Sequence, residues 1–116
     1  MCGIAGIFNY NRQPVATGVL KKMTRALEHR GPDGEGFWGE SFIALGHRRL
    51  AILDLTPAAN QPMQSNNERY IISYNGEIYN FRELRAYLES KGYLFHSASD
   101  TEVVLNAWDY WGEECL

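Results

Sequence analysis

Arg69-Tyr70-Ile71-Ile72-Ser73-Tyr74-Asn75-Gly76-Glu77-Ile78-Tyr79-Asn80-Phe81-Arg82-Glu83-Leu84 passes from one periodicity to another. Tyr70, Ile71, Ile72 and Tyr74 are β-formers, so residues 69–74 read as a strand. Asn75-Gly76 between β-rich flanks is the strongest short signal for a hairpin. Asn80 then reads as a helix cap, with Glu83 as the returning half of a capping box. Phe81, Leu84 and Leu88 form an apolar helical face, and Gly92 ends it. A strand that gives way to a capped helix, without strict strand–helix–strand alternation elsewhere, predicts an α+β fold.

Working toward the N-terminus, Ile4–Phe8 reads as a buried strand broken by Gly6, and Asn9–Pro14 as a polar turn. Thr17 caps a predicted helix to about Glu28, with Leu20, Met23 and Leu27 on one face. Arg30–Gly36 is loop by its Gly and Pro content. Gly36–Gly46 reads as two strands around a Glu40-Ser41 turn, Leu50–Leu55 as a further strand, and Thr56–Asn67 as loop. Toward the C-terminus, Tyr93–His96 reads as a short strand. Ser99 and Glu102 form a second capping box. The helix behind it buries Val103, Val104, Ala107, Trp108 and Trp111, and Gly112 ends it.

Composition bounds the function. Of 116 residues, 45% are hydrophobic and 22% charged, which is ordinary globular usage and excludes disorder and low complexity. One domain is the expected count. A net charge of −3 argues against nucleic-acid binding through a basic surface. No apolar run approaches the roughly 18 residues of a membrane span, and the start carries no basic segment of a secretion signal. The two cysteines, Cys2 and Cys115, give neither a disulfide framework nor a zinc spacing, so a reducing cytoplasmic setting is expected. His29, His47 and His96 lack paired ligand spacing, so no metal site is expected.

Chemistry concentrates at Cys2. Removal of Met1 would leave Cys2 with a free α-amino group. That group and a thiol titrate within about one unit of each other, so the amine can relay the thiol proton and one residue supplies nucleophile and base. The plainer reading is a small buried hydrophobe at the head of a strand. Arg49 can grip a carboxylate through two parallel bonds, whereas Arg48 reads as a surface arginine. Asp100 is explained by helix capping alone, and Glu77 by a solvated strand. Asn75 and Gly76 could donate to a developing oxyanion, yet the local pattern favours the hairpin.

Six blocks occur in order: Met1-Cys2-Gly3-Ile4, His29-Arg30-Gly31-Pro32-Asp33, His47-Arg48-Arg49-Leu50, Gln61-Pro62, Asn75-Gly76-Glu77-Ile78-Tyr79-Asn80 and Ser99-Asp100-Thr101-Glu102. Together they resemble the glutaminase domain of class II glutamine amidotransferases, which are N-terminal nucleophile hydrolases. Within that class the match is to the glutamine-hydrolysing asparagine synthetases. The resemblance implies an αββα sandwich of which residues 1–116 are only the N-terminal part, with the synthetase domain absent. It implies Cys2 as the nucleophile toward L-glutamine, and Asn75 and Gly76 as the oxyanion hole. Arg49 would hold the α-carboxylate of glutamine, Glu77 and Asp100 would lie near its α-amino group, and Leu50 and Ile52 would line the pocket. No cofactor is expected in this chain, since ATP and Mg²⁺ would belong to the synthetase domain, and family members are often homodimers. Two alternatives stand beside it: a non-catalytic assembly or interaction module that keeps the fold, and an amidotransferase or amidase acting on another acceptor or amide.

Overall fold

In the computed structural model, which describes all residues from Met1 to Leu116, the elements follow the order β1 (Gly3–Phe8), α1 (Thr17–Ala26), β2 (Gly34–Glu40), β3 (Ile43–Arg49), β4 (Met63–Gln64), β5 (Ile71–Ile72), α2 (Phe81–Ser90) and α3 (Asp100–Trp111). Short 3₁₀ turns occupy Pro57–Ala59 and Gly112–Cys115. The α+β expectation holds: antiparallel sheets and helices, with no parallel crossover. The chain divides into two compact units. The first comprises Met1–Ile52, Asn60–Pro62 and Ser73–Asn75, and the second Leu53–Ala59, Met63–Ile72 and Gly76–Leu116.

The first unit is a three-stranded antiparallel sheet in the order β1-β3-β2, with α1 packed on one face. Ala5 and Ala44 are small enough to let α1 approach, and Leu20 fills the space between, supported by Ile7, Val15 and Leu27. Burial of one leucine contributes roughly 1.5–3 kcal/mol. The buried Thr24 hydroxyl donates to the Leu20 carbonyl at 2.9 Å, so nothing polar is orphaned there. Thr17 is the first helical residue and not the cap, and the helix ends at Ala26 because the Leu27 backbone leaves helical geometry. The hairpin between β2 and β3 turns at Ser41 and Phe42, with Ser41 at φ 51°, and β3 continues through His47 and Arg48 to Arg49.

That continuation corrects the predicted strand at 50–55. The segment is irregular, and Ile52 and Leu55 are 67% and 77% exposed. Its first amides are taken by side chains and not by a ladder: Leu50 N–H donates to the Cys2 sulfur at 3.3 Å and Ala51 N–H to Asp33 Oδ2 at 2.8 Å. Arg48 is likewise not a surface residue. It is buried, with Nε donating to the Gly31 carbonyl at 2.9 Å, Nη1 to Glu35 Oε2 at 3.2 Å, and Nη2 lying 3.3 Å from Glu28 Oε1. Cross-strand pairing of Arg48 with Glu35 creates this site, and pairing is invisible in a linear reading.

In the second unit, α2 and α3 pack around Leu88, Val103 and Ala107, with Phe81, Leu84, Tyr93, Phe95 and Trp111 at the margin. Tyr87 stacks on Trp111 with ring centroids 5.5 Å apart. The predicted strand 69–74 contracts to Ile71–Ile72, paired antiparallel with Met63–Gln64, and residues 93–96 form no strand. The Asn75-Gly76 hairpin does not exist: neither residue has the positive φ that such a turn requires, and no strand follows. The capping box at Asn80 and Glu83 is also absent. Asn80 sits at φ −95°, ψ 22° in a turn, which keeps its side chain off the helix amides. Ser99 does cap α3, its hydroxyl accepting from Glu102 N–H at 3.4 Å. Positive φ at Gly92 (94°) and Gly112 (62°) marks the chain just past α2 and α3, as the sequence predicts.

Candidate functional site

Cys2 precedes β1 and is half-buried, behind a Met1 that is 73% exposed. Its sulfur accepts from Leu50 N–H at 3.3 Å and lies 3.8 Å from the Leu50 carbonyl oxygen. The thiol is thus fixed beside the end of β3, where Arg49 and Leu50 leave the sheet. Arg30 donates from Nε to the Cys2 carbonyl at 3.2 Å, which holds the backbone of the same residue.

The loop between α1 and β2 secures this corner. Asp33 N–H donates to the Arg49 carbonyl at 3.0 Å, while its carboxylate takes the Ala51 amide. Gly31 lies against the Arg48 backbone so closely that a Cβ would meet the Arg48 carbonyl group, so no larger residue fits without a backbone shift. Arg30, Gly31 and Asp33 therefore brace the Cys2 end of the sheet. Gly31 and Pro32 predict a loop, but not the brace.

On the sheet face turned away from α1, Arg49 donates from Nη1 to Asn60 Oδ1 at 3.0 Å. Its neighbour on that face, His47, is 1% exposed, with Nδ1 2.9 Å from Ser73 Oγ. Burial first, and the Arg49 charge second, push this imidazole down to about 4, so it is neutral near pH 7. Tyr74 N–H donates to Gln61 Oε1 at 2.5 Å. Asn75 follows directly and is exposed. Leu50 is half-buried and Ile52 points to solvent.

Gly76, Glu77 and Asp100 belong to the second unit. Gly76 and Glu77 are exposed. Asp100 is buried at the first turn of α3, and its Oδ2 accepts from Ile78 N–H at 3.0 Å. Its place in the first turn of α3 is as the helix-terminus reading expects, and the same carboxylate also ties down Ile78, next to Gly76 and Glu77. The structure groups Cys2, Arg49 and Leu50 in one corner, sets Asn75 on a segment tied to the same sheet, and joins Glu77's neighbour to Asp100. No group of three or more His, Cys, Asp or Glu side chains is placed to hold a metal ion, and no helix is long and apolar enough to cross a membrane.

A family model described as a glutamine amidotransferase domain matches residues 1–116. Asparagine synthetase [glutamine-hydrolyzing] 1 of Bacillus subtilis (strain 168) is 42% identical over 119 residues, covering 98% of this chain and 18% of that protein. Asparagine synthetase [glutamine-hydrolyzing] 2 of Oryza sativa subsp. japonica is 37% identical over 115 residues, covering 98% of this chain and 19% of that protein. Asparagine synthetase B [glutamine-hydrolyzing] of Escherichia coli (strain K12) is 36% identical over 119 residues, covering all of this chain and 21% of that protein. The chain thus spans about a fifth of the length of these relatives.

Proposed function

Because this chain belongs to the glutamine amidotransferase domain family, we propose that it hydrolyses glutamine through Cys2 and supplies the ammonia to an asparagine synthetase-like amidation in the protein that carries it. Met1 is first removed, which frees the Cys2 amine. The amine takes the thiol proton as the sulfur attacks the side-chain amide carbon of glutamine. Asn75 Nδ2 and Gly76 N–H donate to the oxyanion that forms. Collapse breaks the C–N bond, the amine returns the proton to the leaving nitrogen, and ammonia departs from a γ-glutamyl thioester. Water, activated by the same amine, then releases glutamate and the thiol. Arg49 binds the α-carboxylate of the substrate and Leu50 and Ile52 line its pocket, while the resemblance gives Glu77 and Asp100 the role of meeting its α-ammonium. The hydrolysis draws on no cofactor of this chain, and ATP and Mg²⁺ would serve the synthetase portion.

The observation that carries this reading is the Cys2 sulfur held by the Leu50 amide, immediately after the cation at Arg49. In fold terms, α1 on a three-stranded antiparallel sheet suits one helix-on-sheet half of an N-terminal nucleophile αββα sandwich. A cytoplasmic homodimer with aspartate as the acceptor is the expected setting. The test follows glutamate release from glutamine by the protein that carries this chain. Cys2→Ala should abolish it, and an undiminished rate would sink the proposal.

A further inference from the structure

The structure assigns His47 a positioning role: acting through Ser73, it sets Asn75 for its oxyanion contact, an inference that rests on the reading of Asn75 given above. His47 lies on β3 opposite Ile4 of β1 and Gly36 of β2. Gly36 has no side chain, and a Cβ there would meet the Gln61 carbonyl oxygen. The segment 60–62 therefore lies directly on the sheet beside the imidazole. Segment 73–75 is fixed by side chains and not by a ladder, with Ser73 Oγ 2.9 Å from His47 Nδ1 and Tyr74 N–H on Gln61 Oε1. Asn75 is the next residue along, so these two contacts fix the backbone from which its amide projects.

The cost of the arrangement points the same way. His47 Nε2 is buried with no hydrogen-bond partner. An orphaned buried polar atom is destabilising, and an aliphatic side chain would fill the space without it. Packing alone does not account for an imidazole here, whereas the bond from Nδ1 to Ser73 does. Both the strand that carries His47 and the thiol contact at Leu50 belong to the first unit. A shift of Asn75 by a fraction of an ångström would misalign the donor in the transition state while leaving bound substrate little changed.

The test measures glutaminase kinetics and thermal melting in the protein that carries this chain, for wild type, Cys2→Ala, Ser73→Ala, Ser73→Thr, Asn75→Ala and the double variant Ser73→Ala/Asn75→Ala. Ser73→Ala should lower kcat about tenfold while KM for glutamine stays within about twofold, the pattern of an interaction felt in the transition state. Ser73→Thr keeps the hydroxyl and should recover most of the loss. The double variant should be no slower than Asn75→Ala, because the Ser73 contact has nothing left to aim. A kcat for Ser73→Ala within about twofold of wild type, or losses that multiply in the double variant, would overturn the inference. Should Cys2→Ala remain fully active, the reading of the site and the inference fall together. Should Cys2→Ala be dead and Ser73→Ala normal, the inference alone falls. His47→Asn provides a second probe, and where it unfolds the Ser73 series decides.

Discussion

His47 and Arg48, adjacent on β3, face opposite sides of one sheet and are both buried, each for a different reason. Arg48 serves three acceptors that a planar, branched cation can reach together. Lysine has one compact charge and no such fork, so Arg48→Lys should cost about 1–3 kcal/mol in urea unfolding despite keeping the charge. His47 gives the opposite case, a base kept neutral. Its folded value is about 4 against an ordinary 6.5. Between those values the unfolded chain binds more protons than the folded one, so stability is full above pH 6.5 and falls as pH drops toward 4. Urea midpoints at pH 7 and pH 4.5 should differ by an amount that shrinks in His47→Leu, which lacks the titrating group.

At the scale of elements, helices were legible in the sequence and short strands were not. The apolar spacing of Leu84 with Leu88, and of Val103 with Ala107, is local to each helix and needs no partner. Residues 50–55 and 93–96 have strand-like composition, but a strand exists only where another chain segment offers a ladder, and sequence does not name that segment. Glu102 shows a local rule redirected. A capping box returns this side chain to the Ser99 amide, but the Glu102 carboxylate instead takes His96 N–H at 2.8 Å, Ser97 N–H at 2.7 Å and the Ser97 hydroxyl at 2.6 Å. Glu102→Gln places an amide NH₂ against those donors and should cost about 1–3 kcal/mol by chemical denaturation. Gly31→Ala should destabilise the first unit by a similar margin, since the colliding partner is backbone.

For the whole molecule, the candidate site was legible as a set of residue blocks and not as a geometry. Nothing near Cys2 in the sequence points to Leu50, because 48 residues separate the sulfur from the amide that holds it. Only a resemblance could join them, and it carried no account of Arg30, Asp33 or His47, whose tasks lie in register and close approach. The proposed chemistry makes one demand on the intact protein: the amine of Cys2 must be free. A preparation that retains Met1, verified by intact mass, should show no glutamine hydrolysis, and N-acetylglutamine should not be a substrate for the processed form. The stack of Tyr87 on Trp111 has an optical consequence. Of the three tryptophans, Trp38 lies in the sheet unit, whereas Trp108 and Trp111 lie on α3. Replacing Trp38 with phenylalanine would confine indole emission to α3, giving a fluorescence signal that reports on the surroundings of that helix.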